Sequence, residues 1–209
     1  MKILPIIIVA LVVALVAAGG GFWYWTTTPQ YALEQIKDSA AHHELSKFQK
    51  YFDIEKVADS MVKDLMASEL RKPLGGEALE QILSSGMASE RQVQNEVASG
   101  IAEDIKTLVK TGSFKASGDS PSDQASMGAL DKRLGIKTLS LTELKSIKVD
   151  GNTATVTMLL HNGKFNTDFE FLGELQNKDN CWQATRMVNV VDCFRKLFEL
   201  EKQNIKSPN

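Results

Sequence analysis

The side chains of this sequence whose type and place invite chemistry are few: His42, His43, His161, Cys181, Cys193 and Arg186. His42 and His43 are adjacent at the expected end of a helix. Neighbours on a helix point about 100° apart, so the two cannot readily share a metal ion. Charge or hydrogen bonding at a helix C-terminus is the role that position suggests. His161 precedes an Asn-Gly turn and is expected at the surface. The chain has no HExxH, HxH or DxD pattern for a metal and no GxSxG nucleophile turn. Gly75-Gly76 lacks the Lys and Ser/Thr of a phosphate loop. Asp168 and Glu170 would share a strand face, but it is the face opposite the phenylalanines, which suits a solvated surface. Neither a catalytic residue, a metal nor a cofactor is expected, and the chain does not read as an enzyme.

Arg186 is the residue with most to offer. In a regular last strand it has the parity of Trp182, Ala184, Val188 and Val190, inside the sheet's concave face. An arginine there is costly unless paired, and could bind an anionic ligand. The favoured alternative is a bulge that turns Arg186 outward and Met187 inward. Cys181 and Cys193 make an even count, which in an exported domain invites a disulfide. The alternative is two small buried hydrophobes. They are too far apart for a CxxC redox motif.

The elements that would carry these residues fall into two halves. Thr28-Pro29 reads as an N-cap followed by proline at the first helical position. It opens a helix through Leu33, Ile36 and Ala40. A second helix carries Phe48, Tyr51 and Phe52. Asp53 caps a third, whose Ile54, Val57, Met61, Val62, Leu65 and Met66 recur at the helical period. A short helix over Ala78 to Leu83 is followed by a capping box, Ser89 to Gln92. That box opens a long helix through Val93, Ile101 and Val109. Residues 112–128 read as a loop. Residues 138–206 hold the sheet and a final helix. Asp150-Gly151 marks a hairpin turn. Thr153 to His161 alternates with Ala154, Val156, Met158 and Leu160 on one face. Asn162-Gly163 is expected to turn into a strand from Lys164 to Leu175, with Phe165, Phe169 and Phe171 on its covered face. Asn177 to Asn180 turns again before Cys181 to Val191, and Asp192 caps the last helix. Helices then strands predict an α+β fold, with helices on one face of a four-stranded antiparallel meander.

The N-terminus is different in kind. No charged residue occurs between Lys2 and Glu34, and Ile3 to Trp25 is 23 residues of nearly unbroken apolar character. A hydrocarbon core needs about 20. Phe22, Trp23, Tyr24 and Trp25 stand where a helix would leave the bilayer, and aromatic rings favour that interface. With Lys2 and the terminal amine on the other side, the N-terminus is expected in the cytoplasm and the rest outside. Residues 1–27 are thus read as an anchor and 28–209 as an extracytoplasmic domain. A signal peptide cleaved after Ala18 is the alternative. The charge is nearly balanced, 24 Lys+Arg against 26 Asp+Glu, and no basic stripe invites nucleic acid.

The apolar N-terminus, the stretch TPQYALEQIKDSAAHHELSKFQKYFDIEKVADSMVKDL from Thr28 to Leu65 and the closing CWQATRMVNV together resemble a family of membrane-anchored bacterial proteins, domain of unknown function 2939. The resemblance covers nearly the whole chain and implies a bacterial inner-membrane protein with a periplasmic domain. It brings no activity. More distantly, helices followed by a meander with Trp in its last strand look like the NTF2-like (cystatin-like) folds, which serve binding modules and enzymes alike. The expected function is a binding or protein-interaction module whose partners are the membrane and another envelope protein. The alternatives are an NTF2-like enzyme or a structural partner of another membrane protein.

Overall fold

The computed structural model of the chain describes residues 25–71, 89–114 and 127–206. Among these residues, six α-helices precede and follow a four-stranded antiparallel sheet: α1 (Pro29–Ala41), α2 (Leu45–Tyr51), α3 (Ile54–Met66), α4 (Glu90–Thr111), α5 (Met127–Leu134), then β1 (Leu139–Asp150), β2 (Thr153–Asn162), β3 (Thr167–Lys178), β4 (Cys181–Met187) and α6 (Val190–Lys206). The strands lie in sequence order, a plain meander. The α+β expectation holds at this level. Residues 1–24 of the expected anchor and the helix expected over Ala78 to Leu83 lie outside the described residues.

Local chemistry explains the helix starts. Thr28 Oγ1 accepts the Tyr31 N–H at 3.3 Å, with Pro29 at the first helical position. Asp53 Oδ1 accepts from Lys56 N. Ser89 and Gln92 exchange the two bonds of a capping box, Gln92 N to Ser89 Oγ and Ser89 N to Gln92 Oε1. Each cap satisfies amide donors that a helix leaves orphaned. At its other end α5 is closed by β-half residues. Lys164 Nζ donates to the carbonyls of Lys132 and Arg133, and Asn162 Nδ2 donates to that of Leu134 at 2.8 Å. Gly135 follows at φ +66°, and a Cβ there would lie 2.5 Å from Lys164 Cβ, so only glycine fits.

Two expectations change here. The second turn is the four-residue stretch 163–166 rather than Asn162-Gly163, because Asn162 is fully buried and ends β2. Its side chain holds Leu134 and accepts from Phe165 N at 3.1 Å, so Phe165 sits in the turn. The final helix begins at Val190, not after Asp192. Asn189 grips β3 through Leu172 N and the Glu170 carbonyl, which ends the strand and starts the helix three residues early.

The helices sit against β2, β3 and β4. Ala154, Val156, Leu175 and Trp182 pack with Ala32 and Tyr51 from α1 and α2. A larger cluster joins α3, α4, α5 and α6 to Phe169. The far edge of β4 is closed by the α2–α3 junction, where Asp53 N donates to the Ala184 carbonyl and Gln183 Nε2 to that of Gln49. β3 outruns β4, and α6 covers the excess: Lys196 Nζ donates to the Asp168 carbonyl. Carbonyls and amides that β4 does not reach are thereby paired.

Candidate interaction surface

The sequence-nominated residues do not converge. Arg186 stands outside the core: its Nη2 donates to Asp64 Oδ2 on α3 at 2.9 Å, and the pair is partly solvated. That bond holds the guanidinium's pKa above its usual value. The cause of its placement is a bulge. Leu175 pairs with Ala184, yet Glu174 pairs with Arg186, so Thr185 is an extra residue. Arg186 is turned out and Met187 packs on the main cluster. The concave-face position that would have let Arg186 meet an anion is therefore not adopted.

Thr185 is left in the core with no hydrogen-bond partner for its hydroxyl among the described residues. A buried hydroxyl without a partner costs free energy that an isosteric methyl does not. Thr185→Val should accordingly raise stability by about 1 kcal/mol in urea unfolding, whereas a loss would show that the hydroxyl is satisfied.

The cysteines are both free, so the expected disulfide is not formed. Cys181 Sγ lies against the Lys50 carbonyl at the α2 side, and Cys193 Sγ against the Glu170 carbonyl under α6. Burial pushes the Cys193 thiol up to about 11, against 9.0 for an exposed thiol. A thiol that ionises later when folded than when unfolded binds the extra proton in the folded state. Its share of stability is complete below pH 9 and is lost between about 9 and 11. Maleimide at neutral pH should label Cys181 readily and Cys193 only on unfolding. Cys193→Ala should flatten the decline in stability across that window relative to the parent chain. Rapid labelling of both thiols in the folded chain would contradict the burial.

The histidines do separate structural jobs. His42 is the C-cap of α1, its Nδ1 2.9 Å from the Asp38 carbonyl. His43, at φ 60°, reaches across to the Val109 carbonyl at 2.8 Å and ties α1 to α4. His161 faces Asp168 across β2 and β3 at 2.7 Å, on the outer face of the sheet. Beside it Lys145 pairs with Glu170 at 2.5 Å, which raises the lysine's pKa. No group of three metal-ligating side chains occurs among the described residues.

The feature that the residue types did not reveal is β1. Leu139, Leu141, Leu144, Ile147 and Val149 pair with Asn162, Leu160, Met158, Val156 and Ala154. All five therefore point to the helix-covered side of the sheet, although their spacing of 2, 3, 3 and 2 residues breaks strand periodicity. Two bulges, which leave Thr142 and Lys145 as extra residues, restore the parity. The helices cover β2, β3 and β4; of β1, Leu139 and Ile147 pack on the two clusters, while the other three apolar residues are left open. Leu141, Leu144 and Val149 are 48%, 43% and 55% exposed. The other side of the strand is polar throughout: Ser140, Glu143, Ser146, Lys148 and Asp150. β1 thus presents an apolar stripe on an outermost strand that pairs, among the described residues, with β2 alone.

No family model matches the chain, and neither a curated protein nor a solved structure matches it.

Proposed function

We propose that the chain is a single-pass, membrane-anchored envelope protein whose α+β domain binds another protein through the open side of β1. The observation that carries this reading is the stripe of Leu141, Leu144 and Val149. It has core parity, yet among the described residues no helix packs on it. Contiguous apolar surface of this kind on a folded domain marks a place of association.

The anchor reading rests on the uncharged run from Ile3 to Leu33 and its aromatic end. One contact adds to it. The Trp182 indole N–H donates to the Thr27 carbonyl at 2.8 Å, and Thr28 Oγ1 donates to the Trp25 carbonyl at 2.7 Å. Trp25 is thus joined to α1 and to β4 without a slack linker, so the domain would sit close to the bilayer. The resemblance to domain of unknown function 2939 accords with this reading and adds no chemistry to it.

A photo-crosslinking residue placed at Val149 in native membranes, compared with one at Thr155 on the polar face, tests the proposal. An adduct with a different protein at position 149, absent at 155, supports it. No adduct at either position, or equal adducts at both, rules out the open side of β1 as the binding surface.

A further inference from the structure

We infer that β1 also pairs with β1 of a second copy, antiparallel, about a two-fold axis at Leu144. This goes beyond the anchored-module reading, and only the membrane setting of its test rests on that reading. A closed two-fold contact requires a surface complementary to itself, and the strand LSLTELKSIKVD meets that requirement. With Leu144 opposite Leu144, Leu141 falls opposite Ile147 and Leu139 opposite Val149. On the polar side Glu143 falls opposite Lys145, twice by symmetry. Lys145 already pairs with Glu170 of its own chain, so Glu143 of the other copy would add a second carboxylate to it.

The bulges decide the identity of the partner. An outermost strand with two extra residues and two lysines is protected against pairing with ordinary strands, which would be one residue short at each bulge. A second copy meets the edge differently. The bulge at Thr142-Glu143 of one chain falls opposite the bulge at Lys145-Ser146 of the other, two residues against two. The register is therefore kept along the whole strand, and the edge accepts its own copy while refusing a regular strand. Pairing would join two four-stranded sheets into one of eight strands and bring the two apolar stripes side by side on one face. That enlarged surface is compatible with a further protein binding there.

The test uses the full chain in its membrane, with mild oxidation of single cysteine variants and the parent chain, bearing Cys181 and Cys193, as the blank. Leu144→Cys should give a disulfide-linked dimer, because residues opposite one another across antiparallel strands have Cβ atoms about 4.5–5.5 Å apart. Leu141→Cys should not link to itself, since its two copies would be about 20 Å apart along the strands. Mixing Leu141→Cys with Ile147→Cys should restore the link. Glu143→Lys places like charges opposite and should weaken self-association about tenfold in light scattering of the detergent-solubilised chain. A monomer in light scattering with no link at 144 overturns the inference. So does equal linking at 141 and 144, or a dimer that fails to link at 144.

Discussion

Phe169→Ala should destabilise the domain by about 3–5 kcal/mol in chemical unfolding, while Glu170→Ala, one residue along, should cost less than about 1 kcal/mol. Phe169 is 6% exposed and belongs to the cluster that joins the sheet to α3, α4, α5 and α6. Truncating it removes the transfer energy of a phenyl ring and leaves a cavity that four helices cannot all close. Lys196, whose ammonium lies 5.9 Å from the ring centroid, would lose that contact as well. The Glu170 side chain points the other way and pairs with Lys145 in an ion pair open to water. Equal small effects would mean that β3 does not present Phe169 to the helices. The midpoint should shift without a change in denaturant slope, because both variants bury the same elements.

This contrast was legible in the sequence because β2 and β3 alternate cleanly. Ala154, Val156, Met158 and Leu160 share one face with Phe169, Phe171 and Leu175. The turns were legible where backbone geometry demands particular residues. Asp179 and Asn180 both have positive φ between Lys178 and Cys181, as a two-residue hairpin loop of that type requires. At the first hairpin Gly151 supplies the positive φ, with Asn152 completing the loop. The N-terminal caps at Thr28, Asp53 and Ser89 were legible for the same reason, being bonds between neighbours in sequence. The misread parts depend on partners distant in sequence. Asn162 looked like a turn residue until the carbonyl of Leu134, 28 positions away, was placed against it. β1 was visible only near Ile147 and Val149, since its apolar residues, spaced 2, 3, 3 and 2 apart, follow no strand period. Only their pairing with β2 shows that two bulges absorb the extra residues. The open stripe was missed with it, because a stripe can be recognised as uncovered only after the helices have been placed over β2, β3 and β4.

Replacing Val12 and Val13 together with aspartate should abolish membrane insertion and leave the chain extractable by carbonate. Each aspartate at a helix centre costs about 2.5–3.5 kcal/mol on insertion, so two remove most of the driving force that an apolar segment of this length provides. The segment from Ile3 to Trp25 has no compensating charge within it, and Lys2 is too near its start to help. In the parent chain the anchored reading requires an intact N-terminus, resistance to carbonate washing and a C-terminus digested by protease added outside the cell membrane. A mature protein beginning at Gly19 and released from the membrane would replace the anchor with a cleaved signal peptide. A protease-protected C-terminus would reverse the topology. The consequences for β1 differ between these outcomes. Confinement in one leaflet plane raises the effective concentration of neighbouring copies, so a weak β1–β1 contact would be populated in the membrane and sparse after release. Comparing Leu144→Cys linkage in the anchored chain and in the double-aspartate chain therefore separates the two questions. Linkage in both means that the strand edge associates by itself. Linkage only in the anchored chain means that the membrane supplies part of the association.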